Sequence, residues 1–449
     1  MKQTRDFTQG PIGSQMIKMA LPLVATSFIQ TAYSLVDMIW IGRLGSGPVA
    51  AVGTASFYIN LAFALSTLIL TGSGIKFSHM LGAGDTKGMN QYVNNAFMAM
   101  VGLGLAFTLS ILALRHDLIA FFGIQDPVIQ DQGVAYLSIS MVGVVIMYLN
   151  MLYTSLFNCH GNSKITFKVN SLGLVINMIL DPLMIFGLAG LPQMGVEGAA
   201  LASLLGRLSV FIFYVHQAKK QDNMSLTRRT IDWSRLLEVL KLGAPYSLQR
   251  VAFIGISMVM ARLIASFGAG GIAVQKIGLQ VESISYMTIG GLYGAVSVFV
   301  GQNYGKGNMK RIGRGYKVAL TMSGAFGLVT SLIFIGFAED IFRIFVKDQA
   351  TIQLGVSYLT IIGLSQLFMC LEIVTMASFN GMGKTYVPAS VSLIFTGLRI
   401  PMAWLLASQE GLKGVWWTIS TTSMIKGSLL VTLFIVFISK KKKKEGVHA

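Results

Sequence analysis

From Met19 to Val36 the chain runs eighteen residues without a charged side chain, and Asp37 then ends the run. A stretch of that length and character matches the hydrocarbon core of a bilayer crossed by a helix. Inside lipid every backbone donor and acceptor must be satisfied within the chain, which leaves a helix as the structure for such a segment. Similar runs recur over 16–41, 49–79, 91–114, 133–157, 165–188 and 196–217. Six more follow over 239–266, 272–302, 316–337, 355–379, 386–408 and 412–438. Composition agrees, because only 12% of residues are charged and the mean hydropathy is +0.66, whereas soluble domains carry about 25% charge. The expected fold class is an all-α polytopic membrane protein with twelve transmembrane helices.

The net charge of +17 could point to nucleic acid, but the placement of the cations argues otherwise. They gather between the apolar runs, at Lys164, Lys168, Lys219, Lys220, Arg228, Arg229, Arg235, Lys306, Lys310, Arg311, Arg314 and Lys317, and in the block Lys440 to Lys444. The alternate loops hold mainly Arg43, Arg115, Arg343, Lys347 and Lys413. By the positive-inside rule this asymmetry places both termini in the cytoplasm. The expected partners of the cations are then anionic membrane lipids, and no nucleic acid. No cleavable leader pattern is read at the start, and insertion through the first span is expected. Cys159 and Cys370 lack metal-ligand spacing and are read as packing thiols.

The two halves repeat. Pro22 and Pro245, Gly45 and Gly268, Gly82 and Gly305, and Gly84 and Gly307 are each 223 residues apart. After a one-residue slip, Gly133-Val-Ala-Tyr-Leu137 answers Gly355-Val-Ser-Tyr-Leu359, Phe157-Asn158 answers Phe379-Asn380, and Gly161 answers Gly383. An even number of spans per half inserts both halves in one direction, so two six-helix lobes related by a parallel pseudo-two-fold repeat are expected, an architecture of transporters. The division reads as an N-lobe over 1–218, a cytoplasmic linker over 219–238, a C-lobe over 239–439 and a basic tail over 440–449.

Asp37 is costly at membrane depth, about 2.5–3.5 kcal/mol on insertion scales, so such an acid is a functional candidate by default. On a helix Gln30, Tyr33, Ser34 and Asp37 follow i, i+3, i+4, i+7 spacing and form one polar stripe. Asn177 and Asp181 are one turn apart on the fifth span, and Pro182 removes a backbone donor beside them. Two carboxylates and an amide oxygen are hard donors suited to a proton or a small cation. The repeat places Met260 opposite Asp37 and Ile400 opposite Asp181, so the acid pair belongs to the first lobe alone. Other intramembrane charges, Arg207, Arg250, Arg262, Glu282, Glu372, Arg399 and Lys426, are read mainly as structural or snorkelling groups. Arg250 is expected to pair with Glu282 and Arg399 with Glu372.

These residues together resemble the multidrug and toxic compound extrusion (MATE) family, in its DinF-like branch. The resemblance rests on Leu21-Pro22, on Val36-Asp37 to Gly42-Arg43, on Gly82-Ala-Gly84, and most specifically on Asn177-Met-Ile-Leu-Asp-Pro182. It implies a monomeric secondary active exporter of small amphipathic, mostly cationic drugs in a bacterial or archaeal cytoplasmic membrane, driven by H+ or Na+ and using no cofactor. It assigns cation coupling to Asp37, Asn177, Asp181 and Ser203, with Asp37, Asn177 and Asp181 as metal ligands if Na+ is the ion. The substrate cavity would be lined by Gln30, Tyr33, Ser34, Asp37 and Asn60. One branch of the family carries a C-lobe sodium site made by acids on the seventh and tenth helices. Here the seventh offers Gln249, Arg250 and Phe253 and the tenth only Glu372, which disfavours such a site.

Three rivals are weaker. A major-facilitator carrier would carry a basic signature where this chain reads Leu81-Gly-Ala-Gly-Asp-Thr-Lys-Gly88. A flippase of a lipid-linked precursor would present cavity arginines to phosphate, whereas acids lie here. An enzyme would need a catalytic constellation, and the sequence offers no His-Glu-x-x-His, nucleophile elbow or phosphate loop.

Overall fold

In a computed structural model, residues 6–220 and 231–444 are described. Arg228, Arg229 and the last residues of the tail, 445–449, lie outside the described residues. In chain order the helices are α1 (Ile12–Gly42), α2 (Ser46–Ala83), α3 (Thr86–Ala120), α4 (Pro127–Val142), α5 (Val144–Cys159), α6 (Ser163–Phe186) and α7 (Gly195–Ala218). Then follow α8 (Trp233–Ala265), α9 (Ala269–Gly305), α10 (Met309–Gly336), α11 (Ala338–Phe345), α12 (Gln349–Gly381), α13 (Tyr386–Gly397), α14 (Arg399–Glu410) and α15 (Leu412–Lys444). Among the described residues eleven helices or helix pairs are long and apolar enough to cross a bilayer, and twelve if α4 and α5, bent by 44° to each other, count as one span.

The bend is where the structure departs from the expected continuous span over 133–157. Gly143 separates α4 from α5, while the repeat-related α12 runs unbroken through Ser365. Glycine costs helix stability relative to other residues, and here it ends one helix and opens the next. The amphipathic α11, eight residues long, lies between α10 and α12 and was not expected. The run over 386–408 is divided into α13 and α14 around Leu398.

The repeat is also written in the backbone. Gly45 and Gly268 have φ of 117° and 95°, Gly84 and Gly307 of 72° and 75°, and Gly161 and Gly383 of 73° each. These values lie where only glycine is free of a Cβ penalty, so the same turns require glycine in both halves.

The chain forms two compact units, one holding Ala25–Gly243 and the other Asp6–Val24 with Ala244–Ala449. In the first, α2 packs on α3, α4 and α5, and α7 packs on α4, α5 and α6. The first turns of α8 complete it. Glu238 pairs with Lys76 and accepts from Tyr92 Oη at 2.6 Å, and the Asp232 amide donates to Asn95 Oδ1 at 2.7 Å. In the second unit α12 is the hub, packed on α9, α10 and α15. The segment before α1 is clamped there. Buried Phe7 donates its amide to Gln302 Oε1 at 3.0 Å, and its carbonyl accepts from Asn303 Nδ2 and Arg311 Nε at 3.1 Å each.

Candidate coupling site in the first unit

Three helices build the site. Tyr33 and Asp37, one turn apart on α1, turn toward α6 and α7. Tyr33 Oη donates to Ser203 Oγ at 3.0 Å, and Ser203 Oγ donates to Asp37 Oδ2 at 3.4 Å. On α6, Asn177 Nδ2 donates to Asp181 Oδ1 at 3.0 Å. Asn177 and Asp181 are fully buried and Ser203 nearly so. The Asp37 carboxyl group is a neighbour of the Asp181 carboxyl group and the Asn177 amide.

Close backbone packing holds α6 against α7. Gly198 on α7 lies against the Met184 carbonyl, and Gly206 stands over Asn177, so that a Cβ on Gly206 would be 3.4 Å from that of Asn177. Small residues at such contacts let helices approach closely. Pro182 follows Asp181 inside α6, and it has no amide to donate to its helix.

Three oxygens of this cluster, Asp37 Oδ1, Asn177 Oδ1 and Asp181 Oδ2, are buried without a conventional hydrogen-bond donor among the described residues. Unsatisfied buried acceptors are costly, and three converging from two helices form a hard-oxygen set that a proton or a small monovalent cation satisfies. Among the described residues no group of three His, Cys, Asp or Glu side chains offers a site for a metal ion.

The expected polar stripe divides. Tyr33 and Asp37 join the site, while Gln30 and Ser34 are exposed, and Ser34 Oγ donates only to the Gln30 carbonyl of its own helix at 3.4 Å. Asn60, on α2, is likewise exposed. Two neighbours were not assigned from the sequence. Tyr136 on α4 is buried, and Arg207 lies one turn beyond Ser203 on α7. Tyr136 is within electrostatic reach of both acids and Arg207 of Asp37. The signal for Tyr136 was the repeat motif 133–137, but a repeat marks a shared position and not its partners.

Among the described residues the second unit has no counterpart to the acid pair. Met260 is packed in an apolar cluster with Ile264, Val274, Phe334 and Trp416. The expected partners there are also revised. Glu372 pairs with Lys426 Nζ at 3.0 Å, in place of Arg399. Arg399 donates to Thr422 Oγ1 at 2.9 Å and Ser423 Oγ at 2.8 Å. Glu282 accepts from Tyr358 Oη, in place of Arg250. Lys426 on α15 meets Glu372, while the Arg399 guanidinium on α14 is taken up by two hydroxyls of α15.

A helical protein with up to twelve spans among the described residues, repeated halves and an acid pair in the first of them has the architecture of a transporter. The chain is a member of the MATE family, whose MatE model matches residues 22–183 and 245–405. It is 25% identical over 441 residues to a probable multidrug resistance protein NorM of Thermotoga maritima, covering 97% of this chain and 94% of that one. It is 23% identical to an FAD transporter of Shewanella oneidensis, with 95% of each chain covered. Its fold matches a crystal structure of MATE in the bent conformation with a TM-score of 0.90, at 22% identity and with 99% of each chain covered.

Proposed function

We propose that the protein is a secondary active multidrug exporter that moves small amphipathic, mostly cationic compounds outward in exchange for H+ or Na+. The observation that carries this reading is the acid pair of half-buried Asp37 and buried Asp181, with three buried acceptor oxygens lacking donors among the described residues. Such a cluster is poorly satisfied unless something positive joins it. The relative named a probable multidrug resistance protein supports the cargo class, and the paired acids favour cations over phosphates. The relative named an FAD transporter makes FAD the natural negative control. The protein would act as a monomer in a bacterial or archaeal cytoplasmic membrane, with both termini inside.

In this mechanism ion and drug compete. A proton or Na+ entering from outside neutralises the acids, and a bound cationic drug then loses its counter-charge and leaves. α1 suits the moving part: only 11% of its most apolar window is buried, against 61% for α12, and Pro22 interrupts its hydrogen-bond ladder. Coupling between two ligands is reciprocal, so acidification or sodium weakens binding of ethidium to the purified protein. The test is that titration, together with ethidium transport in proteoliposomes under separately imposed proton and sodium gradients. Transport driven by neither gradient would end the proposal.

A further inference from the structure

The chain before α1 and the first turns of α10 enclose a cavity of about 260 Å³, lined by Thr8, Ile12, Asn308, Lys310, Arg311 and Arg314. All six belong to the second unit. Three of them are cations and none is an acid. The volume is just below the range of about 300–1,000 Å³ for drug-sized ligands, which suits one compact polar group.

Arg311 is committed to holding the chain. Its Nη2 donates to the Gln9 and Gly10 carbonyls at 2.7 and 2.8 Å, beside the bond from Nε to Phe7. Lys306 Nζ likewise donates to Thr8 Oγ1 at 2.8 Å. Lys310 and Arg314 are exposed, and among the described residues neither is in an ion pair. They stand one turn apart on one helix face, a like-charge pair that costs stability unless something negative joins it. Arg314 also repels Arg311. The acid whose charge reaches Arg311 is Asp6, and its Oδ1 already accepts from the Thr8 amide at 2.8 Å and the Thr8 hydroxyl at 2.5 Å.

The repeat shows that the fold does not require this charge. At the 223-residue offset, Asp85, Lys87, Gly88 and Gln91 of the first unit correspond to Asn308, Lys310, Arg311 and Arg314. Asp85 and Asn308 cap their helices alike, accepting from the amides of Gly88 and Arg311 at 2.8 and 3.0 Å. Asp and Asn are about equal as N-caps, so the amide in the second unit keeps the cap and removes an acid that would oppose an anion. The positions of Arg311 and Arg314 are cationic in the second unit alone. The 28-residue α10 adds the partial positive charge of its N-terminus.

We propose that this cavity binds a phosphate group, presented by an anionic lipid headgroup or by free phosphate, and so ties the chain before α1 to α10. Lys310 and Arg314 supply the unpaired charge, and Ile12 forms the apolar wall. Both α1 and α10 are long and apolar enough to cross a bilayer, which brings headgroups to the level where they begin, and basic pockets beside membrane helices take acidic headgroups. The site is separate from the acid pair and does not depend on the exchange mechanism.

The experiment is calorimetric titration of the purified full chain in neutral detergent at constant ionic strength. The probes are short-chain phosphatidylglycerol, short-chain phosphatidylcholine and inorganic phosphate. The proteins are wild type, Lys310→Gln with Arg314→Gln, Ile12→Trp, and Lys219→Gln with Lys220→Gln, which removes the same charge elsewhere. Chromatographic monodispersity reports folding. Each cation beside an anionic headgroup contributes a factor of about five, so the Lys310 and Arg314 double variant binds about 25-fold more weakly than wild type. Ile12→Trp keeps every cation but fills the cavity, and it weakens binding as well. The Lys219 and Lys220 double variant binds as wild type does. Phosphatidylglycerol bound without inorganic phosphate identifies a lipid site, inorganic phosphate bound alone identifies a site for free phosphate, and both bound identify the phosphate group itself as the determinant. Binding of neither overturns the inference, as does phosphatidylcholine bound as tightly as phosphatidylglycerol. So does a Lys310 and Arg314 double variant or an Ile12→Trp that matches wild type, or an equal loss in the Lys219 and Lys220 double variant.

Discussion

Gly198→Ala tests whether the site depends on the close contact between α6 and α7. A Cβ on Gly198 would stand 2.5 Å from the Met184 carbonyl oxygen and 2.7 Å from its carbon. Atoms in van der Waals contact keep roughly 3.5 Å, so the helices must part by roughly 1 Å. The obstructing carbonyl cannot simply turn away, because it accepts from the Met194 amide at 3.0 Å. Overpacking of this kind costs about 1–3 kcal/mol. Loss of the Tyr33 to Ser203 hydrogen bond adds about 1 kcal/mol, and the better helix propensity of alanine returns about 0.5–1 kcal/mol. The net expectation is a destabilisation of about 1–3 kcal/mol. Ser203 lies about one and a half turns further along α7, and its 3.4 Å contact with Asp37 is already long, so a shift of that size removes it. The assay is thermal stability of the purified protein in detergent beside ethidium transport in proteoliposomes. Gly102→Ala is the control, because nothing lies within 4 Å of a Cβ there and alanine should be neutral or stabilising. A Gly198→Ala protein as stable and as active as wild type would refute the dependence of the site on this contact.

Asp37→Asn is expected to abolish drug export while leaving the protein monodisperse, since the amide keeps the shape but cannot cycle a proton; efflux at the wild-type rate would contradict the assignment. Met260→Ala, at the repeat-related position in the second unit, should leave ion coupling intact, and a coupling loss equal to that of Asp37→Asn would remove the one-sided arrangement. Asp181→Asn should uncouple, so that ethidium still binds and its affinity no longer follows pH, as read by the same titration. Glu372→Gln should destabilise by about 3–5 kcal/mol because it leaves the Lys426 ammonium buried without its carboxylate. Glu372→Gln with Lys426→Met should recover much of that loss, and a double variant as unstable as the single one would show that the pair is not the cause.

Hydropathy alone determined the number and approximate limits of the spans, because the demand that buried backbone be hydrogen-bonded within its own segment leaves little choice of structure. The repeat was legible at Gly45 and Gly268, Gly84 and Gly307, and Gly161 and Gly383, because a positive φ can be met by few residues other than glycine. Asp37, Asn177 and Asp181 were legible because acids are expensive inside a membrane and stand out against an apolar run. What the sequence left open is azimuth and approach. A window of hydropathy sums over all faces of a helix, so it could not separate Tyr33, which meets Ser203, from exposed Ser34, its chain neighbour. Nor could it assign Glu372 to Lys426 rather than Arg399, whose guanidinium is instead bonded to hydroxyls of α15. The bend at Gly143 was hidden for the same reason: glycines such as Gly133 and Gly206 lie inside unbroken helices, whereas Gly143, beside Arg207, stands between α4 and α5, which both pack on α7.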